Sequence, residues 1–498
     1  MIAAHLPILQ VVVPLLAAPL CVLLRRPQAA WAVALAASWA ALLIAVLLLR
    51  QVAEGGPISY AIGGWAAPWG IEYRIDALNA VLLLIVALIG SVVLPYARVS
   101  VAAEIDAERV YLFYTAFLLC FTGLLGIAAT GDAFNVFVFL EISSLSTYAL
   151  ISLGRDRRAL RAAYQYLILG TIGATFILIG VGLAYMVTGT LNMADLAARL
   201  GPLHDNRTVR VALAFLTVGI CLKLALFPLH LWLPNAYTYA PSAVSAFLAA
   251  TATKVSVYML LRFLFSVFGV AFAFEAMLLD RALMPLALLA MFIGSLVAIF
   301  QHDLKRMLAY SSIAQIGYIV LGISLANVDG LTAGILHLFN HALIKGGMFL
   351  ALGCMALRLG NTRIGHARGL GREMPLTMAA FLVGGLGLIG VPLTAGFISK
   401  WYLIRAALDG GMWPIAVLIL ASSLLAVIYV WRVVEVLWFT APEPERERVR
   451  EAPASMLIPT WLLAGASVWF GIDSSIPVAV ARQAALLLLG TDTAAGVP

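Results

Sequence analysis

Residues 211–233 read VALAFLTVGICLKLALFPLHLWL. A run this long and this apolar has the length of a membrane-crossing helix. Three residues resist that reading. Lys223 puts a charge near the bilayer centre, at a cost of about 2.5–3.5 kcal/mol or more. Pro228 removes a backbone donor and clashes with the preceding turn. His230 follows two positions later. Together they predict a helix interrupted inside a membrane, next to a group that handles charge.

The rest of the chain fits a membrane setting. Of its 498 residues, 63% are hydrophobic and 11% are charged, too little charge to cover a soluble protein of this size. Apolar runs recur about fourteen times, with 209–232 the seventh and 376–404 the twelfth, so the expected fold class is all-α and integral to the membrane. The first run, 7–24, has no basic residue ahead of it and Arg25 and Arg26 behind it. That is not the order of a cleaved signal, and the run is expected to be the first span. The net charge of +7 resides mostly in loop arginines and implies no nucleic-acid partner. Cys21, Cys120, Cys221 and Cys354 lie scattered in apolar runs without a CxxC. Buried inert thiols are expected, with no metal or cofactor.

Basic residues also set the topology. The odd loops hold Arg25, Arg26, Arg98, Arg109, Arg155, Arg157, Arg158, Arg161, Lys305, Arg306, Arg358, Arg363, Arg368, Arg372, Arg446, Arg448 and Arg450. The even loops hold only Arg50, Arg74, Arg199, Arg207, Arg210 and Arg281. The positive-inside rule then places both termini outside a cell (inner) membrane.

Two blocks of five spans, 110–264 and 283–438, suggest an internal repeat. An odd number of spans per block inverts one relative to the other. The fourth span of each carries a central proline, Pro228 and Pro392, and paired interrupted helices point to an ion path. Residues 1–109 form an N-terminal three-helix region and 439–498 a C-terminal helix region. Within the latter, 477–490 reads as a short interfacial or partner-contacting helix.

Only five of 31 basic residues are lysines: Lys223, Lys254, Lys305, Lys345 and Lys400. Four fall inside spans, while arginines favour loops and span ends. Arginine stays protonated, whereas a desolvated lysine can release its proton. Snorkelling would explain a lysine near a span end, but Lys223, Lys254 and Lys345 are too central for it. Glu141, in GDAFNVFVFLEISSLSTYAL (131–150), is the clear intramembrane carboxylate and a natural counter-ion. Glu435, three residues after Arg432, could form a simple helix-surface pair.

HLFNHALIK (337–345) places His337, His341 and Lys345 four residues apart on one helix face. Without an accompanying acid this is a candidate proton relay rather than a zinc site. His230 is a further relay candidate, or a partner for backbone freed by Pro228. GLGLIG (385–390) matches a dinucleotide-binding pattern but lies in an apolar span, where close helix packing is the better reading.

Five ordered stretches carry a resemblance: TGDAFNVFVFLE (130–141), KLALFPLHLWLPNAYTYAPSAVSAFLAATATK (223–254), HDLKRMLAYSSIAQIGY (302–318), HLFNHALIKGGMFL (337–350) and GVPLTAGFISKW (390–401). They resemble the proton-conducting membrane subunits of complex I, of membrane-bound hydrogenases and of Mrp-type sodium/proton antiporters. The resemblance implies fourteen helices, two inverted five-helix repeats and two discontinuous helices. It implies a Glu141–Lys223 pair, Lys254 as the connecting lysine, Lys345 with its histidines on the eleventh helix, and Lys400 on the second broken helix. VTGTLNMADLAARL (187–200) and lysine at 400 are similar to the D-type subunits of Mrp antiporters. FPLHLWLP (227–234) is closer to complex I and hydrogenase subunits. The expected function is an ion-translocating subunit, not itself an enzyme. It would work with other membrane subunits, protons and sodium ions in a hetero-oligomeric antiporter, or alternatively in a redox-driven complex.

Overall fold

The computed structural model describes residues 2–442 and 448–490; Arg446 and residues 491–498 lie outside the described residues. Helices α1 (Leu6–Leu24) and α2 (Pro27–Gly55) lead to a two-stranded antiparallel hairpin, β1 (Ile58–Ala61) and β2 (Glu72–Ile75). Next come α3 (Ala77–Glu104), α4 (Val110–Ala129), α5 (Ala133–Ser152), α6 (Arg157–Thr188) and the short α7 (Met193–Leu200). Then follow α8 (Arg207–Lys223), α9 (Trp232–Tyr239), α10 (Ser242–Leu261), α11 (Leu279–Ile299), α12 (Leu304–Ser324) and α13 (Val328–Leu359). The chain continues through α14 (Leu370–Glu373), α15 (Pro375–Ile389), α16 (Ala395–Asp409), α17 (Trp413–Val434), α18 (Ala454–Ile472) and α19 (Ser475–Leu489).

Among the described residues, twelve helices are long and apolar enough to cross a membrane. The two exceptions to continuous crossing are the expected ones. The seventh run is split into α8 and α9, and the twelfth into α15 and α16. The hairpin and α7 have no counterpart in the sequence reading.

Polar side chains mark where helices begin. Asp132 accepts from Asn135 N at 2.7 Å to cap α5, and Asp303 accepts from Arg306 N at 3.1 Å to cap α12. Each satisfies a donor that the first helical turn leaves unpaired. The two caps have matching surroundings. Asp132 bridges to Asn192 after α6, and Asp303 bridges to Arg363 after α13.

α10, α12 and α13 form the centre, with nearly every residue of α10 and α12 buried. Helices such as α2, α6 and α17 turn apolar side chains outward, including Leu43, Leu160 and Leu420. α19 is not simply interfacial: it buries Ala481, Ala484, Ala485 and Leu488 and packs on α13 and α3 of the same chain.

Two arginines near span ends behave differently from a surface reading. Arg432 does not pair with Glu435. It donates to the carbonyls of Ile299 and, at 3.0 Å, Gln301, which reach it across the α11–α12 turn. Arg262 is buried, and its Nη2 meets Asp76 Oδ1 at 2.5 Å. Asn79 and Tyr258 complete this cluster: Asn79 Oδ1 accepts from Arg262, and Arg262 Nε donates to Tyr258 Oη at 3.2 Å. Asp76 also caps α3. At the other end of α3, Glu104 Oε2 accepts from Ser242 N at 2.8 Å and Ser242 Oγ at 3.1 Å, at the start of α10.

Removing one partner of a buried ion pair leaves the other charge uncompensated, at a cost of about 3–5 kcal/mol. Arg262→Ala should therefore lower the thermal unfolding midpoint of the detergent-purified protein markedly. An unchanged midpoint would show that the pair contributes nothing to holding α3 against α10.

Candidate ion-translocation site

The site begins at the two helix breaks. Proline clashes with the carbonyl four residues before it. For Pro228 that residue is Leu224, and α8 ends at Lys223. For Pro392 it is Leu388, and α15 ends one residue later at Ile389. Each break also holds a non-glycine residue in the left-handed region, Ala225 at φ 61° and Leu393 at φ 70°. Such conformations cost of order 1–3 kcal/mol and persist only where surrounding contacts impose them.

Side-chain donors reach carbonyls at both breaks. At the first, Leu222 O accepts from Ala225 N at 3.2 Å and also from the indole Nε1 of Trp232 at 2.9 Å. At the second, Lys400 Nζ donates to Leu388 O at 2.8 Å and to Ile389 O at 3.0 Å. An ammonium at the carboxyl end of a half-helix is also favoured by the helix dipole. Asn340 Nδ2, on α13, donates to Ala395 O at 2.6 Å where α16 starts.

The four lysines expected in the membrane are all buried, as is Lys305, which belongs to α12 rather than to a loop. Lys223 Nζ donates to Ser144 Oγ at 2.8 Å. Lys254 folds back along α10 to the carbonyl of Ala249, with Thr253 Oγ1 at 3.5 Å. Lys345 reaches α12, donating to Leu308 O at 2.8 Å and to Ser311 Oγ. Lys400 adds Ser423 Oγ at 3.0 Å and lies 4.5 Å over the Tyr318 ring. Lys305 Nζ donates to Ala240 O at 3.1 Å.

Glu141 is placed near Lys223 but does not touch it. Among the described residues no ion pair of 4.0 Å or less joins them. The Lys223 ammonium instead meets Ser144, one turn along α5 from Glu141. Glu141 is half-buried, and its Oε1 is buried without a hydrogen-bond partner. A cavity of about 20 Å³ adjoins Lys223, lined in part by Ser143, Thr147, Tyr166 and Ser256. That is room for about one water, and Ser256 stands two positions beyond Lys254 on α10.

The histidines are arranged as their spacing predicts. The His337 and His341 rings stack, 6.1 Å apart with an 8° interplanar angle. His337 Nδ1 is 2.8 Å from Ser399 Oγ, and its Nε2 is 2.9 Å from Gln315 Oε1. His341 is buried, and among the described residues neither ring nitrogen has a hydrogen-bond partner. Lys254 stands on α10, which packs against α13, the helix of His341 and Lys345. His230 stacks on Phe227, and its buried Nδ1 has no hydrogen-bond partner among the described residues. The helices pack in the order α8, α10, α13, α16, which ranges the buried lysines and histidines in a row of consecutive helices.

Sequence reasoning misses the groups that seat the row: Ser144, Ser311, Gln315, Tyr318, Ser399 and Ser423. Small hydroxyls and an amide in apolar helices give little signal alone. GLGLIG is a packing device. A Cβ on Gly396 would collide with Gly387 O, and one on Gly390, at φ 86°, would come within 2.9 Å of Lys400 Cδ.

Residues 130–426 match the family described as NADH:quinone oxidoreductase/Mrp antiporter, TM. The chain belongs to this family. A fellow family member, the N subunit of NADH-quinone oxidoreductase from Desulforudis audaxviator (strain MP104C), is 45% identical over 94% of this chain and 96% of that one. The D subunit of the Na(+)/H(+) antiporter of Alkalihalophilus pseudofirmus is 30% identical over 86% of each. Among solved structures, a chain of the Mrp complex from Dietzia sp. DQ12-45-1b superposes with a TM-score of 0.89 at 26% identity, over 98% of both chains. This family member is thus an antiporter-like membrane subunit, of a kind found in multisubunit membrane complexes.

The contact of α15 with α16 makes a further test. Gly396→Ala should displace α16 and cost at least about 1–3 kcal/mol through overpacking. Gly182→Ala, with nothing within 4 Å of the added Cβ, should leave the unfolding midpoint unchanged or raise it. Equal midpoints for the two variants would contradict this packing.

Proposed function

We propose that the chain is the proton-conducting subunit of a hetero-oligomeric sodium/proton antiporter. The observation that carries this reading is the row of buried lysines and histidines from α8 to α16, seated on hydroxyls and carbonyls. Charged side chains inside a membrane are costly and mark ion or proton paths. Lysine suits the task because its proton can be lost within reach of physiological pH once it is desolvated.

Protons pass along Glu141, Lys223, Lys254, His341 with His337 and Lys345, and Lys400. Each broken helix supplies backbone groups that water can meet, so the breaks serve as points of entry and exit. His230 stands beside the first break as a candidate relay. Each broken pair crosses the membrane once, giving fourteen crossings with both termini outside the cell membrane. Blocks 110–264 and 283–438 are inverted repeats, in keeping with the matched Asp132 and Asp303 caps. Glu141 shares the outward stripe of α5 with Phe134, Val138 and Leu145, which are exposed. A half-buried carboxylate there calls for a protein partner, and a neighbouring subunit against α5 provides one. Sodium moves through the complex, with proton flow in this chain as the coupled step.

A second reading keeps the proton path and changes the driver to electron transfer in a redox complex. The 45% identity to an NADH-quinone oxidoreductase subunit favours it, whereas the lysine at position 400, like that of D-type antiporter subunits, favours the antiporter. Purification of the intact complex separates them. An antiporter discharges an imposed proton gradient when sodium is added; a redox pump needs an electron donor and carries redox centres in partner subunits.

Lys223→Ala should abolish proton translocation in everted membrane vesicles while the protein still assembles. Lys223→Arg should be nearly as inactive, since it keeps the charge but cannot readily cycle a proton. Full activity in the alanine variant would remove Lys223 from the path, and full activity in the arginine variant would make it a fixed charge.

A further inference from the structure

Three serine pairs lie within long apolar helices: Ser143–Ser144 in α5, Ser311–Ser312 in α12 and Ser422–Ser423 in α17. In each pair one hydroxyl meets a lysine of the row from a neighbouring helix. Ser144 accepts from Lys223 at 2.8 Å, Ser311 from Lys345, and Ser423 from Lys400 at 3.0 Å. The other member turns to backbone. Ser143 donates to Leu140 O at 2.9 Å, Ser312 to Leu308 O at 2.9 Å and Ser422 to Met291 O at 3.4 Å.

A hydroxyl differs from a carboxylate and from a carbonyl as the partner of a buried ammonium. A carboxylate favours the charged lysine and opposes proton release. A carbonyl can accept from N–H but cannot serve the lone pair of a neutral amine. A hydroxyl has one donor and two acceptor sites and can rotate between roles. It accepts from –NH₃⁺ and donates to –NH₂.

At Lys400 the donor count closes in both states. The three N–H groups of the ammonium meet Leu388 O, Ile389 O and Ser423 Oγ. After proton loss, two N–H groups remain for the two carbonyls, and the lone pair accepts the Ser423 O–H. The carbonyls freed by the second break stay paired throughout. Tyr318 Oη, 3.2 Å from Ser423 Oγ, can take either role in the exchange.

We infer that Ser144, Ser311 and Ser423 are positioning residues for proton transfer: each keeps its lysine hydrogen-bonded in both protonation states. This rests on the proton-conducting reading above. Lys254 falls outside the pattern, since its main acceptor is the Ala249 carbonyl and Thr253 is at the 3.5 Å limit.

The test is a set of single substitutions in the full chain, assayed in everted vesicles as translocation rate per assembled protein and as a pH profile. Ser144→Ala, Ser311→Ala and Ser423→Ala each remove one oxygen and add no bulk. Each should lower the rate about tenfold or more, the scale of a hydrogen bond to a charged group, and move the pH of half-maximal rate. Ser→Thr at the same positions restores the hydroxyl and should recover most of the rate, although it adds a methyl group. Packing alone predicts the reverse order. Ser312→Ala and Ser422→Ala should translocate like the parent protein. Rates within about twofold of the parent for the three alanine variants, with unchanged pH profiles, would overturn the inference. So would losses equally large at Ser312 and Ser422. If Lys223→Ala is inactive while Ser144→Ala is fully active, only the serine role fails. If Lys223→Ala is itself fully active, the underlying reading fails.

Discussion

A backbone carbonyl freed inside a membrane finds no partner in lipid, and leaving it bare costs several kcal/mol. Much of this site follows from that constraint. Two prolines interrupt two helices, and at each interruption a side chain supplies a donor to a carbonyl near the helix end. Trp232 does so at the first break, and Lys400 at the second. The second solution puts a titratable group at the helix end. The contacts that satisfy the backbone there are the same ones that hold the Lys400 ammonium.

The architecture is legible in the sequence because lipid restricts the choices. Runs of apolar residues give spans, and prolines at matched places give the two interruptions. The lysines stand out because nearly all other basic residues are arginines in loops. The stacking of His337 on His341 follows from a spacing of four on one helix.

What the sequence conceals is lateral. Nothing in the α5 run indicates that Lys223 settles on Ser144 rather than directly on Glu141, because side-chain partners across helices depend on helix rotation and depth. Arg262 reads as an ordinary residue at a span end, yet it meets Asp76 from 186 positions earlier in the chain. Lys305 follows a turn in the sequence and reads as a loop residue, but the Asp303 cap starts α12 before it and buries it. The hairpin between α2 and α3 is hidden by short strands with weak alternation.

α10 carries the buried Lys254, and α3 grips the helix at both ends. Asp76 holds Arg262 at one end, and Glu104 holds Ser242 at the other. The two helices run antiparallel, so axial sliding in either direction would break one grip or the other. α3 therefore acts as a ruler for its neighbour. It sets the height of Lys254 along the bundle, from two contacts that lie at the far ends of the helix rather than beside the lysine.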